Sequence, residues 1–338
     1  MTKILLVFTG GTIGSTILNG TINTSEKQGF KLLDLFEQIY PDTGQFHFNC
    51  IQPVQLLSEN LFPSIWETLI KAIEAENIAQ YDGIIITHGT DTLAYTAAAL
   101  GLYFNNIKIP LLLVSSNYPL ECSQANGLTN FQCAVEFIRQ RKQAGVFVPY
   151  KNPGFETLVH IATRLSSCLQ LSGDFISVQT KAFLSFKNNS FKLLNALEPK
   201  ALTSKQLRST FSKNILMIKP YPGLDYSCFK LDNIDVVIQE LYHSGTACST
   251  KDWGEEYGLS SFVEKCNQHN ISLYMAPAIK SVDAYESSRT LQSCGAKMIW
   301  NMSIEVAYVK LLLAYGNFSD QQAIDQFLAD DIAFEYIE

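Results

Sequence analysis

The chain has 338 residues, of which 47% are hydrophobic and 17% charged; that composition excludes a disordered or fibrous protein, and the length suits two hydrophobic cores better than one. Against 32 Asp and Glu stand only 25 Lys and Arg, a formal net charge of −7, so the basic footprint a phosphate backbone demands is missing and the expected partner is a small molecule, not nucleic acid. No uninterrupted apolar run approaches the roughly 20 residues of a membrane-spanning helix, which points to a soluble protein.

Residues 1–11 carry a short apolar run that reaches Gly10 and Gly11 directly. It lacks the h-region length and cleavage pattern of a signal peptide and reads as a first strand. Runs at 4–8, 83–87, 109–115, 145–148, 215–218, 236–240 and 271–275 are apolar or β-branched and close on small or polar residues, as buried parallel strands do. Helical patterns at 64–75, 92–104, 126–141, 259–269 and 303–314 lie between them, and this alternation predicts an α/β fold. The segment 186–213 breaks the rhythm, being polar and rich in Lys, Asn and Ser. It divides the chain into a larger, mostly parallel-sheet domain over 1–190, a linker over 191–212 and a smaller flavodoxin- or Rossmann-like α/β domain over 213–338. No internal repeat is visible.

Eight cysteines, Cys50, Cys122, Cys133, Cys168, Cys228, Cys248, Cys266 and Cys294, are scattered without a Cys-x-x-Cys pair, and the five histidines show no paired spacing. No metal site is expected. The cysteines suit a reducing compartment and read as small buried hydrophobes; a catalytic thiol is the remote alternative.

Two loops carry chemistry. In Phe8-Thr9-Gly10-Gly11-Thr12-Ile13-Gly14-Ser15 a strand runs straight into a glycine-rich turn bearing hydroxyls. Glycines let backbone N–H groups approach a ligand, which suits a hydroxyl nucleophile beside an oxyanion hole. Neither phosphate-cradling glycine pattern is present, while a plain tight turn is an equally good reading of this loop alone. In Ile86-Thr87-His88-Gly89-Thr90-Asp91-Thr92 a second strand end delivers a hydroxyl and a carboxylate ahead of a helix. Strand-end loops of one sheet converge on one crevice, so Thr12, Thr90 and Asp91 are expected around one ligand. The bland account of Asp91 is a helix cap.

Together these loops resemble the L-asparaginase/glutaminase family, whose hallmarks are a Thr-Gly-Gly-Thr-Ile loop and a His-Gly-Thr-Asp-Thr loop. The likeness continues through Tyr221-Pro222-Gly223 and through residues 302–307, and the continuation Ala94-Tyr95-Thr96-Ala97 looks more like the cytoplasmic type than the secreted one. The resemblance implies hydrolysis of L-asparagine to L-aspartate and ammonia without a cofactor, in a homodimer or homotetramer whose pocket is completed by a neighbour's C-terminal domain. Residues 242–246 and 285–286 are the first loops to inspect for that contact. Thr12 would attack the side-chain amide to give an acyl-enzyme, with Thr90 in a supporting hydroxyl–Asp–Lys group and Asp91 as a buried anion for the substrate α-ammonium. Ser58 would bind the α-carboxylate and Glu59 add a second acceptor for the ammonium, with helix capping or solvation as the competing account of that loop. Gly11 and Gly89 line the same substrate site. Ser116 and Asn117, before Asn126-Gly127-Leu128-Thr129-Asn130, become candidates near the amide. His88 is assigned to the scaffold.

Two family positions differ. Thr21 stands where the family's flap carries a tyrosine, and between Gly154 and Lys181 the only cation is Arg164, where a catalytic lysine is expected. Arginine stays charged at any accessible pH, so it serves only electrostatically and cannot relay a proton. These departures imply slow turnover, or a protein that binds amino acid without useful hydrolysis; ammonia release compared with thermal stabilisation by L-aspartate separates the two. A third reading is the related subunit of a glutamyl-tRNA amidotransferase. It is disfavoured by the acidic charge and by a first motif that begins at residue 9, leaving no room for a further N-terminal module.

Overall fold

Ile4, Leu5, Leu6 and Val7 have no polar alternation, and all four are fully buried, as required of a strand covered on both faces. The structure is a computed structural model that describes residues 1–11, 13, 15–18, 21–24, 28–40, 43–197 and 205–338. Its first compact unit comprises Met1–Ser209 with Ile332–Phe334, and its second comprises Thr210–Asp331 with Glu335–Glu338.

In the first unit the chain order is β1 (Thr2–Val7), β2 (Ser15–Leu18), β3 (Thr21–Thr24), α1 (Gln28–Ile39), β4 (Phe46–Ile51), α2 (Pro63–Ala75), β5 (Gly83–Thr87), α3 (Leu93–Tyr103), β6 (Pro110–Val114), α4 (Gly127–Glu136), β7 (Gly145–Lys151), β8 (Thr157–Ile161), β9 (Leu184–Lys187) and β10 (Ser190–Leu193). One sheet has the order β10-β9-β8-β7-β6-β5-β1-β4. The strands from β4 to β7 are parallel, and β8, β9 and β10 fold back antiparallel. Strands β2 and β3 form a separate antiparallel ribbon.

Helix α2 starts on Pro63, whose fixed φ suits a first helical turn, and buries Trp66, Leu69, Ile70 and Ile73, an i, i+3, i+4, i+7 stripe. Helix α3 is apolar nearly all round and buried along most of its length, so it forms core on every side. Phe36, Phe131, Phe137 and Phe147 belong to the main cluster between the other face of the sheet and α1 and α4. From β1 the chain passes to β4 on one side and then to β5 on the other. That reversal opens a crevice beyond the carboxyl ends of β1 and β5, where open α/β sheets bind ligands.

The second unit runs β11 (Ile215–Ile218), β12 (Val236–Glu240), α5 (Leu259–Gln268), β13 (Ser272–Ala278), α6 (Glu286–Ser293), β14 (Lys297–Trp300), α7 (Ile304–Asn317) and α8 (Gln321–Ala329). Its four strands are parallel in the order β11-β12-β13-β14. Ser303 and Asp320 cap α7 and α8 by accepting from Val306 N–H and Ala323 N–H. Inside this unit the ammonium of Lys310, on α7, lies 2.6 Å from Glu335 Oε1 with both side chains fully buried. The rings of Phe327 and Tyr336 flank that ammonium at 5.5 and 6.0 Å.

The α/β class and the large and small parallel sheets match the sequence reading. Strands β4 and β14 and helices α1, α6 and α8 fall outside the expected elements, and three further details differ. The strand expected at 145–148 runs on to Lys151 and pairs with β8. The polar stretch from 186 opens with part of the β9–β10 hairpin. Burial holds for Cys133 and Cys266, but Cys50, Cys228 and Cys248 are exposed. Among the described residues, no helix is long and apolar enough to cross a membrane.

Candidate active site

The loops after β1 and β5 meet backbone to backbone. Gly11 has φ +76, and a Cβ there would lie 2.3 Å from Gly89 N, so only glycine allows this approach. Thr9 Oγ1 donates to the Thr87 carbonyl at 2.6 Å, and Gly11 N–H donates to the Leu56 carbonyl at 3.1 Å, which brings in the segment after β4. A Cβ on Gly89 would strike Ser58 Oγ at 2.5 Å. Two glycines thus let three strand-end segments converge.

Ser58 and Asp91 form a closed pair. The Ser58 hydroxyl donates to Asp91 Oδ2 at 2.8 Å and accepts from Asp91 N–H at 3.2 Å. Asp91 is not the cap of α3: the N-cap is Thr92, whose own hydroxyl donates to the Ser58 carbonyl at 2.9 Å. Nor is Asp91 buried as expected; its side chain is solvent-exposed, because it stands on the turn before α3. Glu59, in the short turn Ser58–Asn60, is also exposed.

His88 is fully committed within the protein. Its Nδ1 lies 2.7 Å from the Gly89 carbonyl, which can only accept, so Nδ1 carries the proton. Nε2 then accepts from Thr96 Oγ1 at 2.9 Å, and Thr96 in turn accepts from Trp66 Nε1–H at 2.9 Å. Burial pushes the His88 pKa down to about 4, outweighing the opposite pulls of the Gly89 carbonyl and the Asp91 charge. His88 is neutral at pH 7 and holds the Gly89–Asp91 turn through its carbonyl.

Ser116 and Asn117 order the loop after β6. Ser116 Oγ donates to the Tyr118 carbonyl at 2.5 Å and accepts from Gly127 N–H at 3.1 Å. Asn117 and Asn126 exchange backbone-to-side-chain bonds at 2.9 and 3.0 Å. Asn117 also lines a cavity of about 1210 Å³ together with Thr90, Asp91, Asn126, Lys151 and Cys168. Thr90 is half-buried at its edge.

Arg164 is not brought to this cavity. Its Nε donates to the Phe334 carbonyl at 2.6 Å, and the adjacent Thr163 packs on Gly101, eight residues along α3 from Leu93 and hence about 12 Å from the Asp91 end. The reversal of β8 carries the chain away from the strand ends before it returns. On that return Ser167 and Cys168 line the cavity; burial first, then the Asp91 and Asp174 charges, push the Cys168 thiol up. Lys151, Ser167 and Cys168 were missed in the sequence. Lys151 falls beyond the expected strand end at 148, and Ser167 and Cys168 follow Arg164 within one short stretch that has no periodic pattern. Thr12 lies outside the described residues, and of Thr21 only the backbone is described. Among the described residues, no group of three or more His, Cys, Asp or Glu could hold a metal ion.

The family model described as "Asparaginase, N-terminal" matches residues 3–202. The chain belongs to the asparaginase family. Its fold is shared, over 100% of both chains, with the thermostable L-asparaginase of Thermococcus kodakarensis at 25% identity and a TM-score of 0.82. L-asparaginase I of Vibrio cholerae gives a TM-score of 0.79 at 20% identity over 100% of this chain and 99% of that one, a likeness of fold. Two curated relatives are named as subunits of glutamyl-tRNA(Gln) amidotransferase. The one from Metallosphaera sedula is 23% identical over 99% of this chain and 76% of its own length. The one from Methanococcus maripaludis is 27% identical over 84% of this chain and 69% of its own. The family's fold is that of an amidohydrolase, a hydrolase or amidase type of enzyme.

Proposed function

We propose that the chain hydrolyses the side-chain amide of a small amino acid, with L-asparagine as first substrate, to the acid and ammonia. The observation that carries this reading is the meeting of the Gly11 and Gly89 loops at the sheet's reversal, with Ser58 fixing Asp91 beside them. Thr12 on the first loop is the nucleophile and Thr90 its supporting hydroxyl. Asp91 receives the α-ammonium. Its present partner, the Ser58 hydroxyl, is a neutral donor that a substrate ammonium displaces with a stronger, charge-assisted bond; Ser58 is then released toward the α-carboxylate. Backbone N–H groups of the two glycine loops stabilise the oxyanion. Arg164 is left out of the catalytic group because its guanidinium is engaged at the far end of α3. No cofactor takes part.

A second reading is favoured by the relatives named as amidotransferase subunits. The same hydrolysis would then supply ammonia to a tRNA-linked amidation rather than stand alone. Ammonia release from L-asparagine and L-glutamine by the isolated chain, compared with release in the presence of tRNA, separates the two. Thr12→Ala and Thr12→Val are expected to abolish turnover without shifting the melting temperature; an active Thr12→Ala enzyme would sink the assignment. L-aspartate that stabilises the chain while no ammonia appears from L-asparagine would instead make it an amino-acid sensor. The working unit is proposed to be a homodimer or homotetramer in a cytoplasmic setting. A monomer by light scattering at micromolar concentration with full activity would refute that assembly.

A further inference from the structure

The hydrogen bonds through His88 run in one direction. Trp66 Nε1–H can only donate, so Thr96 Oγ1 accepts from it at 2.9 Å and turns its own proton to His88 Nε2, also at 2.9 Å. That occupies the acceptor nitrogen and fixes the ring proton on Nδ1, which donates to the Gly89 carbonyl at 2.7 Å. The imidazole is buried, while Thr90 is half-buried at the edge of the cavity.

The peptide between them is trans, and in a planar trans peptide the N–H points opposite to the C=O. With the Gly89 oxygen drawn toward the imidazole, the Thr90 N–H is turned away from it, out of the core. Among the described residues no group accepts from that N–H. The N–H groups of His88 and Asp91, by contrast, are spent on the Val114 carbonyl at 2.8 Å and on Ser58 Oγ at 3.2 Å. Gly89 also lies against the loop after β1, since a Cβ on Gly11 would stand 2.3 Å from Gly89 N and 2.6 Å from Gly89 Cα. Thr12 is the next residue along that loop.

We infer that His88 is a positioning residue for amide hydrolysis: by holding the Gly89 carbonyl it aims the Thr90 N–H at the substrate's amide oxygen, where negative charge develops when the Thr12 hydroxyl adds. This inference rests on the amidohydrolase reading and deepens it. As the Thr12 oxygen bonds to the amide carbon, the carbonyl electron pair moves onto oxygen. The pair returns as the C–N bond breaks, and the nitrogen leaves as ammonia with the hydroxyl proton. A donor already aimed at that oxygen needs no reorganisation when the charge appears, and losing one such donor costs about 10²–10³ in kcat. His88 itself touches no reacting atom and exchanges no proton.

The test follows ammonia release from L-asparagine and L-glutamine by the full chain. An asparagine side chain carries its amide nitrogen as many bonds from Cβ as histidine carries Nδ1, whereas glutamine carries its own at the distance of Nε2. His88→Asn therefore keeps a donor for the Gly89 carbonyl, and His88→Gln keeps only a partner for Thr96. Each loses one ring contact, so both are expected to melt below the parent. His88→Gln is expected to lower kcat about a hundredfold with KM changed less than about threefold, and His88→Asn to hold kcat within about tenfold of the parent. Replacing the Gly89–Thr90 amide by an ester, with the α-hydroxy analogue of threonine at position 90, removes the N–H and leaves every side chain in place; its kcat is expected to fall about a hundredfold. The ester decides the matter where His88→Gln does not fold. A parental kcat in the ester chain, or equal kcat in His88→Asn and His88→Gln, overturns the inference alone. No ammonia from the parent with either substrate overturns the amidohydrolase reading and this inference with it.

Discussion

The Ser58–Asp91 pair shows how one hydroxyl does two jobs, as donor to the carboxylate and acceptor from the backbone of the same residue. Asp91→Asn removes the counter-charge of the substrate ammonium while keeping an acceptor in place. The expected outcome is a rise in KM of about tenfold, or about 1.4 kcal/mol, with a smaller change in kcat; steady-state ammonia kinetics check it, and an unchanged KM removes Asp91 from substrate binding. At this scale the sequence is informative about residue types at the loops after β1 and β5, because glycine, hydroxyl and carboxylate in those orders are few-purpose residues. It says nothing about exposure. Asp91 taken alone reads as a helix cap and through the family resemblance as a buried anion, and the turn geometry makes it neither: Thr92 caps the helix and Asp91 stands at the surface. Arg164 has the right charge in roughly the right stretch, yet the turn Ala162–Arg164 after β8 sends it to the Phe334 carbonyl.

Helices α2 and α3 stand behind the Gly89 turn through the chain from Trp66 to Thr96 to His88. Thr96→Val removes the central hydroxyl at nearly constant volume and leaves the Trp66 N–H and His88 Nε2 buried without this partner. The stranded His88 nitrogen alone costs about 1–3 kcal/mol, measurable by urea unfolding; a loss below about 0.5 kcal/mol, the low end for a single hydrogen bond, would show that the chain does not hold the turn. The fully buried parallel strands and helices α2, α3, α4, α5 and α7 were legible because apolar periodicity and length suffice for buried elements, whereas strands β4 and β14 and helices α1, α6 and α8 fall outside the expected elements. The short antiparallel strands β8, β9 and β10 were not, since they mix polar residues such as His160, Ser185 and Lys192 into their runs. That mixing hid the strand reversal and, with it, the return of Ser167 and Cys168 to the cavity.

For the molecule as a whole, two fully buried histidines set the acid side of stability. His88 and His160 are each pushed by burial down to about 4 from 6.5. Between those values the unfolded chain binds more protons than the folded one, so stability is complete above pH 6.5 and falls as the pH drops toward 4. Each histidine contributes about 3 kcal/mol to that loss. Denaturation midpoints across this range should fall steadily, and His160→Gln should flatten the slope by about half of the histidine contribution; an unaltered slope would show that His160 is not protonated on unfolding. The sequence reading could assign His88 to the scaffold but gave no hint of His160, which sits in β8 with Nδ1 2.7 Å from Ser177 Oγ.

The enclosed Lys310–Glu335 pair bears on how this chain can change over evolutionary time. Losing either partner alone leaves a buried charge without its counter-ion, a step that costs about 3–5 kcal/mol, whereas exchanging both for apolar residues of similar volume is often neutral or stabilising. The two positions are therefore separated by a valley that no single substitution crosses. In any set of descendants they would be inherited together as Lys and Glu or replaced together, a sign epistasis written into the C-terminal part of the fold rather than into its catalytic loops.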